Sequence, residues 1–160
     1  MSDYAPPDQK PPFGPYLAFM GIFGSLVGAA LTLARRHHRE LPERVDPGQL
    51  LLVGVASHKL SRLIAKDKVT SPLRAPFTEL EEKGGPAELE ESSRGTGLRK
   101  AIGELLICPF CLDLWVVAGF SVGLLFAPRV TRFVASLFAA LTVSDFFQIA
   151  YKAAEDKGLG

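Results

Sequence analysis

Gln49-Leu50-Leu51-Leu52-Val53-Gly54-Val55-Ala56, continued as Ser57-His58-Lys59-Leu60-Ser61-Arg62-Leu63-Ile64-Ala65-Lys66, opens like a membrane helix and ends like a cationic one. At helical spacing His58, Arg62 and Lys66 form an i, i+4, i+8 row with Lys59 beside them, while Leu60, Leu63 and Ile64 share the opposite side. The uncharged part, Pro47 to Ser57, falls well short of the ~20 residues that a span requires. The pattern predicts an amphipathic helix over 48–67 that lies at a membrane interface or re-enters it. A helix packed inside a bundle could shelter the same charges, and that is the alternative. The choice decides between three membrane crossings and four.

Working outward, three other stretches read as spans. Pro15 to Ala34 carries no charge over 20 residues, which at 1.5 Å per residue covers roughly the 30 Å of a bilayer's hydrocarbon core. Residues 105–127 contain one charged residue, Asp113, and 131–151 contain Asp145 with Arg132 near the start. The first span has too long an apolar run for a cleavable signal, so it reads as a retained anchor. Gly21, Gly24 and Gly28 with Ser25 and Ala29 give it a small-residue face suited to close helix packing.

Immediately after this span come Arg35, Arg36, Arg39 and Arg44, a cationic flank that marks the cytoplasmic side of a membrane and could meet anionic lipid there. This leaves the amino terminus outside. If 48–67 does not cross, nearly all lysines and arginines lie inside and only Lys10, Arg129 and Arg132 face outward. If it crosses, that bias nearly vanishes or reverses. The count favours three spans plus one interfacial helix, with a cytoplasmic carboxy terminus. The expected class is an all-α integral membrane protein, multi-pass in the cell membrane.

Between the spans the chain is polar. Residues 1–14 hold four prolines and read as a disordered tail, and 152–160 as a polar one. Residues 68–104 begin with a turn-forming mixture around Pro72 and Pro76. They become acidic and glycine-rich from Thr78 to Gly97, which predicts a flexible loop, and end in a short helix from Leu98 to Leu106. With 160 residues, 48% of them hydrophobic, and a net charge of +1, nothing in the composition calls for nucleic acid as a partner.

Leu60-Ser61-Arg62-Leu63-Ile64, then Asp67-Lys68-Val69, Pro72-Leu73-Arg74-x-Pro76-Phe77 and Cys108-Pro109-Phe110-Cys111 with Trp115 form a set of separated motifs. Together they resemble the bacterial membrane proteins of domain-of-unknown-function family 1360, over about residues 48–150. The resemblance implies no activity. The family's Cys-x-x-Cys usually has Trp before the second cysteine and Gly two residues after it, where this chain has Phe110 and Asp113.

Cys108 and Cys111 hold every sulfhydryl of the chain and stand where the polar loop meets a span. Three chemistries fit them. A helix amino terminus lowers a thiol's pKa, and Pro109 suits the first turn, so the pair could exchange disulfides. Two thiols are also half of a tetrahedral zinc site, which a second chain could complete. The plainest reading is two small, polarisable residues packed at a helix mouth.

Asp145 is the other candidate, because an unpaired carboxylate inside a span is costly and seeks a partner. His58, Lys59 and Arg62 are the available cations, and the cluster reads as an interhelical salt bridge or, less plainly, as part of an ion relay. The expected function is a structural or regulatory membrane protein, without cofactor, whose partners are the bilayer and a second copy or another membrane protein. A membrane thiol-disulfide oxidoreductase is the alternative, and a subunit of an ion or small-solute transporter is third.

Overall fold

The computed structural model describes residues 11–85 and 87–158. Most of the tail expected over 1–14 lies outside the described residues, and the first helix already begins at Phe13. Its apolar run Phe13–Arg36 forms α1. The helix stops at a Schellman turn: His38 takes a left-handed φ of 52°, its N–H bonds the Arg35 carbonyl, and the Arg39 N–H bonds the Ala34 carbonyl at 2.8 Å. Helix α2, Pro47–Lys66, starts where the Asp46 side chain accepts the Gln49 N–H at 2.8 Å and Pro47 occupies the first turn.

Residues 68–104 are not a loop. A 3-10 turn at Lys68–Thr70 leads into the short α3, Ser71–Arg74. Then β1, Thr78–Lys83, pairs antiparallel with β2, Leu89–Ser93, in the register Thr78 to Ser93 and Lys83 to Leu89, with a bulge between Leu80 and Glu82. Gly97–Ile107 forms α4. The expectation of an all-α chain is thus corrected by a two-stranded sheet. Acidic strands bury little apolar surface of their own, and three of the sheet's glutamates, Glu79, Glu90 and Glu91, are met by Arg94, Lys66 and Arg74.

The stretch read as one span over 105–127 is divided at Cys108, where α4 ends and α5, Pro109–Phe126, begins. After a break at Ala127, α6 runs Pro128–Gly158, longer at both ends than 131–151. Gly123 permits the close return, because a Cβ there would stand 2.6 Å from the Thr131 Oγ1. Among the described residues three helices, α1, α5 and α6, are long and apolar enough to cross a membrane.

The core lies where α2 meets α5 and α6: Val53, Ala56, Phe120 and Ala135 are buried, with Leu52, Leu60, Val117 and Phe138 packed around them. Three contacts give the direction of α2. Gln49 meets Arg132 at 3.4 Å, the Val55 carbonyl accepts from the Thr142 hydroxyl at 3.3 Å, and Lys59 meets Asp145 at 2.8 Å. Helices α2 and α6 therefore run side by side in the same direction. Tyr16 to Glu104 and Phe23 to Trp115, the latter with ring centroids 5.2 Å apart, run α1 alongside α4 and α5. The order α1, α2, α5, α6 alternates up and down. The small-residue face of α1 is unpacked, with nothing within 4 Å of a Cβ built at Gly21, Gly24 or Gly28.

Candidate functional site: an ion-paired head

The carboxy-terminal half of α2 presents its cations to the hairpin. Arg62 holds Glu88 through two bonds of 2.8 Å, and Lys66 reaches Glu90 at 2.7 Å. One turn of spacing on the helix thus matches a two-residue step on the hairpin, from Glu88 just before β2 to Glu90 within it. Behind them sits Arg74, fully buried, its guanidinium donating to Glu91, to the Ile64 carbonyl at 2.6 Å, to Thr70 Oγ1 at 2.8 Å and to the Asp67 carbonyl at 3.1 Å. Four acceptors satisfy the forked donors, which is how a buried charge is tolerated. Thr70 in turn donates to the Leu63 carbonyl, closing the last turn of α2.

The hairpin is fastened at both ends. At its tip the Lys68 N–H bonds the Ala87 carbonyl at 3.0 Å. At its base Arg99 of α4 clasps the Pro76 carbonyl, and the Arg94 N–H bonds the Phe77 carbonyl. Helix α4 approaches so closely that a Cβ on Gly103 would stand 2.5 Å from the Phe77 carbonyl oxygen.

Of the residues expected around Asp145, Lys59 alone is joined to it. Lys59 is mostly covered and Asp145 is half-exposed. Arg62 turns to Glu88 instead, and His58 is exposed. Asp67, beside this cluster, has its carboxyl pushed up from the usual range, chiefly by burial. The charges of Glu88 and Asp145 act in the same direction, and those of Lys59 and Arg74 oppose it. Asp113 has one oxygen buried without a protein partner among the described residues, as does the Ser57 hydroxyl.

Cys108 and Cys111 are joined as a disulfide, with Cα atoms 5.3 Å apart. Cys108 also caps α5, its sulfur accepting the Cys111 N–H at 3.2 Å. Among the described residues no three His, Cys, Asp or Glu side chains converge. At the other end of the bundle Arg35, Arg36, Arg39 and Arg44 are exposed. The sequence reading missed Arg74 and the glutamates of β2. The signal for Arg74 was its place between Pro72 and Pro76, which fixes a compact turn beneath α2.

These features define a class: a small apolar helical bundle carrying a charge-latched β-hairpin at one end. The chain belongs to the family described as "Protein of unknown function (DUF1360)", whose model matches residues 52–151. The matched region runs from within α2 to within α6 and so contains the whole head. "Sporulation protein YjcA" of Bacillus subtilis (strain 168) is 40% identical over 76 residues, which are 46% of this chain and 64% of that relative. This chain thus spans less than two thirds of the relative's length. No solved structure matches.

Proposed function

We propose that the chain is a non-enzymatic multi-pass membrane protein whose helices hold the hairpin head at the outer membrane surface as a structural or regulatory element. The observation that carries this reading is the use of charge: Arg62, Lys66 and Arg74 are each consumed in a pair with a glutamate of the hairpin, the last of them buried. Such pairs specify one shape for a surface that has little apolar core. The name of the Bacillus subtilis relative supports a role in spore formation.

Two independent observations support the orientation. The arginine flank after α1 belongs on a cytoplasmic side, and the disulfide at the head end belongs in an oxidising compartment. They lie at opposite ends of the bundle. On this reading α2 crosses with α1, α5 and α6, and both termini lie outside.

Complementation tests the role. In a B. subtilis strain lacking the sporulation relative, this chain and its Cys108→Ser, Cys111→Ser double variant should restore heat-resistant spore counts equally. Rescue by the parent chain alone, with the variant present at the same level in membranes, would favour the oxidoreductase.

A further inference from the structure

The end of the bundle opposite the head is chemically unlike it. At the head, Lys59, Arg62, Lys66, Arg74, Arg94 and Lys100 all have carboxylate partners. At the far end, among the described residues, no carboxylate lies within ion-pair distance of Arg35, Arg36, Arg39, Arg44, Arg129 or Arg132. Two adjoining hollows open there. The larger, about 860 Å³, is an apolar groove between α1 and the α2/α5 pair, walled by Val27, Leu31, Leu50, Val53, Ala118 and Leu125. Its volume lies within the ~300–1,000 Å³ typical of ligand clefts.

The smaller, about 390 Å³, is lined by Arg35, His38, Arg39, Glu40 and Leu41. His38 to Leu41 belong to both hollows, so the apolar groove runs directly into a cationic one. Glu40 is the one carboxylate of the lining, against Arg35, Arg39 and, on the groove's rim, Arg132. The Schellman turn at His38 fixes where Arg39 leaves α1, so the cation is set at the rim by the backbone.

We propose that this composite hollow binds one anionic phospholipid of the cytoplasmic leaflet, with an acyl chain in the groove and the phosphate against Arg39 and Arg132. An apolar slot ending in guanidinium groups that have no carboxylate partner among the described residues, Arg132 holding only the neutral Gln49 amide at 3.4 Å, is complementary to a molecule with a hydrocarbon chain and an anionic head. A neutral detergent or zwitterionic lipid satisfies only the first half. This inference rests on the membrane reading above, and the experiment separates the two.

Carbonate-washed membranes are assayed first, since loss of the chain from them would overturn the membrane reading itself. The retained full chain is then purified in neutral detergent and titrated with phosphatidylglycerol or phosphatidylcholine of matched acyl chains, with bound lipid counted by native mass spectrometry. The parent chain should prefer phosphatidylglycerol by about tenfold or more. Arg39→Gln with Arg132→Gln should abolish the preference. Gly54→Phe, which fills the groove at a position with open space around it, should weaken both lipids. Arg129→Gln, on the same turn but not lining the groove, should change neither.

Equal binding of the two lipids by the parent chain overturns the proposal, as does an equal loss from Arg129→Gln. So does full competition by glycerol phosphate, which would mean a site for free phosphate with no part for the groove.

Discussion

Arg74 shows how far a single side chain can determine a fold that its neighbours in sequence leave open. It is fully buried, and its pair with Glu91 is enclosed on both sides. Removing one partner of such a pair leaves an uncompensated charge, so Arg74→Ala should cost about 3–5 kcal/mol. Arg62 holds Glu88 through two bonds but is half-exposed, and its loss should cost about 1 kcal/mol or less. Thermal unfolding in detergent, followed by circular dichroism, compares the two. Equal shifts would mean that burial is not what distinguishes them.

Asp67 gives a pH test of the same cluster. Its raised pKa means that the folded chain binds the proton more tightly than the unfolded one, so the ionised carboxylate costs stability at neutral pH. That cost is absent below the unfolded value and grows as pH rises through the folded one. Asp67→Asn should therefore raise the unfolding temperature at neutral pH, and the gain should shrink to nothing in acid. A gain that persists in acid would assign it to something other than charge.

Among the elements, legibility follows from what each element is made of. Helices α1, α5 and α6 are written locally, as long runs with almost no charge, and the sequence predicts them apart from their ends and the break at Cys108. The hairpin is not local. Glu79, Glu81, Glu82, Glu88, Glu90 and Glu91 look like solvated loop residues until the cations of α2, more than twenty positions earlier, are set against β2. Register between a strand and a distant helix has no signature in the periodicity of either.

The glycines divide in a similar way. The face of Gly21, Gly24 and Gly28 looks like a packing surface by spacing, yet Gly103, which belongs to no motif, is where an α-helix meets the sheet. Gly103→Ala should separate α4 from the hairpin at a cost of about 1–3 kcal/mol, because the obstructing atom is a backbone carbonyl oxygen that cannot rotate away. Gly21→Ala meets open space and should not lower the unfolding temperature. Protease cleavage at Gly84-Gly85 gives a second reading, rising for the first variant and unchanged for the second.

For the whole molecule, the question posed by Gln49 to Lys66 becomes one of shelter. As an isolated helix it carries too much charge for a bilayer. In the bundle, Lys59 has Asp145, Arg62 has Glu88 and Lys66 has Glu90, and the apolar half packs on α5 and α6. The charge count, which favours three crossings, takes these cations as free flanking charges, whereas here each has a carboxylate partner. Helix α2 lies beside α6 from Arg132 to Asp145, and the proposed four-crossing arrangement rests on that neighbourhood.

The two topologies then differ at testable points. Both put the 37–46 connection in the cytoplasm, but four crossings put the hairpin and the carboxy terminus outside, and three put them inside. In a background with Cys108 and Cys111 replaced by serine, single cysteines at Val45, Glu82 and Glu155 report each region. With a membrane-impermeant maleimide on intact cells, E82C and E155C should label and V45C only after lysis. Protection of E82C and E155C until lysis would return α2 to the interface and bring the head to the cytoplasmic side. The disulfide would then face a reducing compartment, where such a bond is seldom kept for structure alone.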